Sequence, residues 1–120
     1  MSTTLSILDY TTYGTAAGNY DGSSMDWASD GVQGAGYYRG HGGLQSIRYQ
    51  LSDFVGTIYV DATLDETAID ANWFATITIG DGSTALTELR SQTVVGNFTW
   101  VRVRVEGFDG GTINYINITY

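Results

Sequence analysis

The sequence predicts an all-β domain, an antiparallel β-sandwich or barrel, and three observations carry that prediction. From Leu44 onward, apolar and polar residues alternate at period two. Turn signals separate these runs at roughly ten- to twelve-residue intervals. No segment shows the spacing of an amphipathic helix. The 120 residues, 42% of them hydrophobic, suit a single domain with a core that needs no staples.

Each element follows from its residues. Residues 1–43 form a glycine- and aromatic-rich N-terminal arm, mostly irregular, with a short strand at Leu5 to Tyr10. Glycine at this density suits turns better than regular structure, while Trp27, Tyr37 and Tyr38 supply aromatic surface for burial. Residues 44–120 carry the main strands. Ile47, Tyr49 and Leu51 alternate with Arg48 and Gln50; after Gly56, Ile58, Val60, Ala62 and Leu64 share one face. Asp65 to Asn72 reads as a connection, Trp73 to Ile79 as a strand, Asp81-Gly82-Ser83 as a turn and Leu86 to Arg90 as a weaker strand. In Phe98 to Glu106, Val101, Val103 and Val105 share one face and Trp100, Arg102 and Arg104 the other. Asp109-Gly110-Gly111 reads as a turn before a last strand, Thr112 to Tyr120. The chain has no proline, a residue that often protects sheet edges, so the edges need another cover, for which a partner chain is an obvious source.

Composition removes several function classes. With no cysteine, disulfides and the usual zinc and redox spacings are excluded. A net charge of -8 repels phosphate backbones and argues against nucleic-acid binding. Met1-Ser2-Thr3-Thr4 does not open a signal peptide, and no run approaches the roughly 20 apolar residues of a membrane span. These features predict a soluble protein made in the cytoplasm of a cell, with no membrane insertion.

Candidate chemistry is sparse. His41, the single histidine, lies between glycines, and no Gly-x-Ser-x-Gly elbow is present; a loop or interface role outweighs a catalytic one. Glu66, Glu88, Glu106 and the aspartates could supply a glycosidase pair, but most of the aspartates sit in turns. The Asp-Gly steps at 21, 30, 81 and 109 read as turn chemistry rather than calcium loops, because acidic residues at alternating loop positions are missing. Gly34-Ala35-Gly36 and Gly40 do not match a dinucleotide fingerprint. Asn97-Phe98-Thr99 and Asn117-Ile118-Thr119 match the glycosylation pattern and, without a secretory signal, read as coincidence. The expectation is therefore a protein that is not an enzyme, with no catalytic residue, metal or cofactor.

Binding residues are easier to nominate. Trp27, Tyr37 and Tyr38, in loops, are the surface candidates for internal packing, a protein interface or stacking on sugar rings; Trp73 and Trp100, in strands, read as packing residues. Arg102 and Arg104 share a strand face and suit either a cross-strand ladder with acidic neighbours or bidentate contacts to an adjacent subunit.

Several stretches carry a resemblance. Asp21-Gly22-Ser23-Ser24-Met25-Asp26, Gly36-Tyr37-Tyr38, Gly43-Leu44-Gln45-Ser46-Ile47, Phe54-Val55-Gly56-Thr57-Ile58, Ala62-Thr63-Leu64, Asn72-Trp73-Phe74, Gly96 to Arg102 and Gly110-Gly111-Thr112-Ile113 lie along most of the chain. Together they resemble modules in virion structural proteins of contractile-tailed phages that infect marine cyanobacteria. The resemblance implies a jelly-roll-like sandwich on a phage particle, as capsid decoration, neck, tail or fibre component. It transfers no catalytic residue. Its partners would be other virion proteins and further copies of itself, with a carbohydrate-binding module or host-surface adhesin as the alternative. Trp27, Tyr37, Tyr38, His41, Arg102 and Arg104 are then the interface or glycan candidates.

Overall fold

In a computed structural model, residues 4–37, 43–69 and 71–120 are described. They form eight strands: β1 (Thr4–Leu8), β2 (Thr11–Thr12), β3 (Trp27–Ala28), β4 (Val32–Gln33), β5 (Leu44–Thr63), β6 (Phe74–Ile79), β7 (Leu86–Val95) and β8 (Trp100–Thr119). All pairings are antiparallel. The all-β class and sandwich architecture agree with the sequence reading.

Three strands are longer than their alternation implied, since β7 runs from Leu86 on to Val95 rather than to Arg90, and β5 and β8 are longer still. Ile47–Leu51 and Ile58–Thr63 belong to the single strand β5, which stops one residue short of Leu64 and leaves that side chain exposed instead of on the face of Ile58, Val60 and Ala62, and the expected turn at Asp109-Gly110-Gly111 lies inside β8. A straight strand of such length would span about 66 Å at ~3.3 Å per residue, yet the longest dimension of the molecule is 40 Å. Both strands therefore double back together. Their pairing is continuous from Ser46↔Thr119 to Thr63↔Trp100, with irregularities between Gln50 and Thr57. The bulges also change the phase: Ile47, Tyr49 and Leu51 point inward before them, Ile58, Val60 and Ala62 after them.

The corner has a specific chemistry. Asp53 (φ 53°), Gly107 (φ 63°) and Gly111 (φ 81°) adopt left-handed backbone. A Cβ on Gly111 would stand 2.1 Å from the Asp53 carbonyl oxygen, so only glycine lets the two chains approach. Phe54 and Phe108, both fully buried, stack there with ring centres 5.6 Å apart.

The fold-over makes two half-sheets. One runs β1 and β2–β8–β5–β7, the other β3 and β4–β8–β5–β6. Between them lies one core, with Ile47 and Leu51 in the first half and Val60, Ala62, Val101, Val103 and Val105 in the second. Gln45 ties the halves at the open end: its Nε2 donates to the Gly96 carbonyl at 2.8 Å and its Oε1 accepts the Ala35 N–H at 3.1 Å.

The arm covers the outer edge of β8. Thr4 and Thr12 share hydroxyl hydrogen bonds with Thr119 and Thr112 at 3.0 and 2.9 Å, and the Ser29 N–H donates to Val103 at 2.8 Å. The chain thus covers this edge itself, where a partner chain had been the obvious source. The Gly34-Ala35-Gly36 pattern serves close packing: a Cβ on Gly34 or Gly36 would fall 2.4 Å from the Phe98 carbonyl oxygen or 2.2 Å from that of Asn97.

Asp21 and Asp81 build matching turns. The Oδ1 of each accepts the backbone N–H groups two and three residues on, at 2.7 to 2.9 Å. Those bonds lower both carboxyl pKa values to about 2. Because the folded-state value lies below the unfolded one, the contribution is present above about pH 4 and is lost as pH falls toward 2. In acid titrations followed by circular dichroism, the double variant Asp21→Asn/Asp81→Asn should therefore lose less stability than wild type between pH 4 and 2. Equal losses would exclude these turns as acid-sensitive elements.

The corner yields a second prediction. Gly111→Ala should lower the urea midpoint far more than Gly107→Ala, because a Cβ at Gly107 meets nothing within 4 Å and should cost only the left-handed conformation, about 1–2 kcal/mol. Equal shifts for the two variants would show that backbone approach at the corner is unimportant.

Candidate functional site

Alternation on β5 and β8 turns every second side chain of the second half-sheet away from the core. On this outer face Thr57 stands opposite Glu106, Tyr59 opposite Arg104, Asp61 opposite Arg102 and Thr63 opposite Trp100. Asp61, with 2% of its side chain exposed, receives both arginines: Arg102 Nε at 3.2 Å and Arg104 Nε at 3.0 Å. Arg104 also pairs with Glu106. The bond to Asp61, aided by attraction to Asp61 and Glu106, raises the Arg104 pKa above its ordinary value.

Aromatic rings complete the face. The Arg102 guanidinium lies 4.6 Å from the centre of the Trp73 ring, and that of Arg104 4.2 Å from Tyr59. Trp73 is also close to Gly31, where an added Cβ would meet the ring at 3.2 Å. Trp100 donates its Nε1–H to the Glu66 carbonyl at 3.0 Å and meets Tyr37 edge-on at 5.2 Å. Asp61 accepts hydrogen bonds at both carboxylate oxygens, so the arrangement is suited to holding strands and presenting a surface rather than to proton transfer.

The structure redistributes the sequence candidates. Arg102 and Arg104 do form the cross-strand ladder, and Tyr37 is 41% exposed. Trp27, a loop candidate for packing, an interface or sugar stacking, takes the packing role: it lies in the core with 9% exposure, against Tyr20 and Phe108. Its two-residue strand pairs with β8 at Val105 and turns the ring inward; among the described residues its Nε1–H has no acceptor. Trp73 and Trp100, read as packing residues, do pack, half-buried on the outer face against Arg102 and Tyr37, the face that alternation assigns to Trp100 together with Arg102 and Arg104. Tyr38 and His41 lie outside the described residues. Asp61 is the site residue that the sequence does not single out: its place between Val60 and Ala62 marks an outward position, but its two arginines follow only from the pairing of β5 with β8.

A second surface lies at the open end, where the fold-over brings both termini of β5 and of β8. Leu44 and Val95 are paired neighbours there, and Leu64, Ile69 and Phe74 follow at the other half-sheet. Six of the ten exposed large apolar side chains among the described residues, these five and Tyr37, gather at this end. Ile69 is 81% exposed and Val95 73%.

Asp61→Asn should lower stability by about 2–4 kcal/mol, since two partly buried guanidiniums lose their counter-ion while retaining access to water. A double-mutant cycle of Asp61→Asn with Arg104→Met, read by urea unfolding, should give a coupling above about 1 kcal/mol. A coupling near zero would assign the loss to packing instead of the ion pair.

No described group of three or more histidine, aspartate or glutamate residues could hold a metal ion, and no described helix is long and apolar enough to cross a membrane. No protein-family model matches the sequence, and no curated protein matches it. Among solved structures the chain is similar to the SPBc2 prophage-derived protein YomS, with a TM-score of 0.57 and 11% identity over 99% of this chain and 91% of that one. It is also similar to the K3 cleaved adhesin domain of Lys-gingipain from Porphyromonas gingivalis W83, with a TM-score of 0.50 and 13% identity over 85% and 69% of the two chains. The C-terminal CBM6 of the laminarinase LamC from Zobellia galactanivorans aligns at a TM-score of 0.49 and 17% identity, with all of each chain covered. What the chain shares with the prophage-derived protein and the adhesin domain is the fold, an antiparallel β-sandwich.

Proposed function

We propose that this chain is a non-enzymatic assembly module of a phage particle, docking on a neighbouring virion protein through the open end of its sandwich. The observation that carries the reading is the gathering of Leu44, Leu64, Ile69, Phe74 and Val95 at one end, since contiguous exposed apolar surface marks interaction sites. The Phe74 ring meets Phe98 edge-on at 5.7 Å, so part of that surface is anchored to the core. Fold similarity to a prophage-derived protein supports the phage setting, and the saturated Asp61 ladder supports a role without catalysis.

Glycan binding is the second reading, favoured by the exposed Tyr37 ring against Trp100. Trp73 and Tyr59 serve it less well, because guanidinium groups already cover one face of each ring. Under this reading sugars would quench tryptophan fluorescence, and a flat titration across a broad glycan panel would remove it.

Immunogold microscopy of purified phage particles with antibody to the folded chain tests the assembly reading. Label on the head, neck or tail is the expected result. The variant Leu64→Asp/Ile69→Asp should keep its circular dichroism spectrum and reduce incorporation at least about tenfold, the effect of ~1.4 kcal/mol lost at the contact. Wild-type incorporation of that variant would remove the open end from assembly, and particles without label would remove the virion reading.

A further inference from the structure

β7 is the longest continuous edge of the sandwich. Its ten residues pair only with β5 among the described residues, and the register runs without a shift from Val95 to Glu88. The competing edges are shorter: β6 has six residues, and the arm contributes segments of two to five. Edges of this length are usually interrupted by lysine, proline or a bulge. Over Glu88 to Val95, β7 has none of these.

Its two charges have opposite sign and lie symmetrically about Leu89. Leu89, 54% exposed, projects from the outer face. Glu88 and Arg90 flank it on the opposite face, with Arg90 Nε 3.2 Å from Glu88 Oε2, and they are the only charges on the strand. The Tyr49 hydroxyl donates to Glu88 at 2.8 Å, while the Arg90 side chain, 65% exposed, is free to turn outward.

Consider a second copy of β7 set antiparallel beside the first, with a two-fold axis normal to the sheet through Leu89. Leu89 then faces its own counterpart, Glu88 faces Arg90 of the second copy, Arg90 faces its Glu88, and Thr87 faces Ser91. Placing the axis at Glu88 or at Arg90 instead sets like charges against each other, which opposes pairing. We infer that the chain forms a two-fold dimer by antiparallel pairing of β7 with β7 of a second copy, centred on Leu89. The contact is isologous, as closed two-fold assembly requires, and it adds a strand to an open edge through backbone hydrogen bonds. A continuous sheet results, running from β1 of one copy to β1 of the other.

The inference deepens the assembly reading and rests on it. Sedimentation velocity of the full chain over a range of concentrations should reveal a dimer. Glu88→Arg and Arg90→Glu should each weaken self-association at least about tenfold, because each sets like charges across the axis. An equimolar mixture of the two variants should dimerise again, since one then carries two positive and the other two negative charges along the seam. Misfolding of either variant would not be rescued by mixing. A chain that is monomeric throughout, or a dimer indifferent to both substitutions, would overturn the β7 pairing. Should such a chain still label phage particles, the assembly reading would stand without it.

Discussion

The approach of the Gly111 backbone to the peptide joining Asp53 and Phe54 is the constraint on which the rest of the structure depends. It lets one twenty-residue strand pair, β5 with β8, turn a corner without ending. A single ladder then supplies both layers of the sandwich, and no crossover connection is needed to bring them together. The aromatic residues follow from the same corner. Phe54 and Phe108 stack inside the bend, and Tyr20 and Trp27 from the arm pack on Phe108 at 5.1 and 6.0 Å, which fixes the arm to the place where the sheet folds. Burial of such rings is worth several kcal/mol each, enough to offset ordering a glycine-rich segment that gains little from regular structure.

Edge management in this molecule is uneven, and the unevenness follows from the topology. β8 has its outer edge covered by four short strands of the same chain, joined by threonine hydroxyls and serine contacts that ask nothing of a partner. β6 is short and bulged opposite Val60 and Asp61, a geometry that discourages further pairing. That leaves β7 as the long regular margin of the first half-sheet. The open end differs again, because there the strands simply stop and their last apolar side chains have no layer above them.

Much of this was legible in the residues, though unevenly. Alternation identified the strands of the second half-sheet because one face is uniformly valine and isoleucine while the other is polar, and Asp81-Gly82 announced its turn because aspartate bonds its own backbone there. The corner misled for a physical reason: a bulge shifts the alternation and inserts glycines, the same local signals that a hairpin turn gives, so β5 and β8 each read as two strands. Packing was one of three roles open to Trp27, and a two-residue strand has no periodicity from which to choose among them. Trp73 and Trp100 were legible as packing residues, though not what Trp73 packs on, since aromatic residues near strands pack as readily against arginines outside as against aliphatic residues inside. The arginines themselves were readable as a ladder because they repeat at period two, whereas their shared acceptor required knowledge of which strand lies alongside.

That acceptor explains why the second half-sheet has one register. A slip of one residue between β5 and β8 would turn Asp61 into the core and Val60 out to the arginines, exchanging every favourable burial for an unfavourable one. A slip of two residues would preserve the faces and the aliphatic packing, so hydrophobic burial alone discriminates poorly against it. The ladder supplies the missing discrimination. Asp61 lies directly opposite Arg102 and diagonal to Arg104, which in turn stands over Tyr59 and pairs with Glu106. Moving β8 two residues one way sets Asp61 against Trp100; moving it the other way sets Asp61 against Arg104 but Arg102 against Thr63 and Glu106 against Tyr59, leaving Trp73 and Tyr59 without their guanidiniums. An ion pair of this kind, shielded from water on the acidic side only, is a modest source of stability. Its larger contribution is to make one of several equally apolar alignments the one in which Asp61, Tyr59 and Trp73 all keep their guanidinium partners.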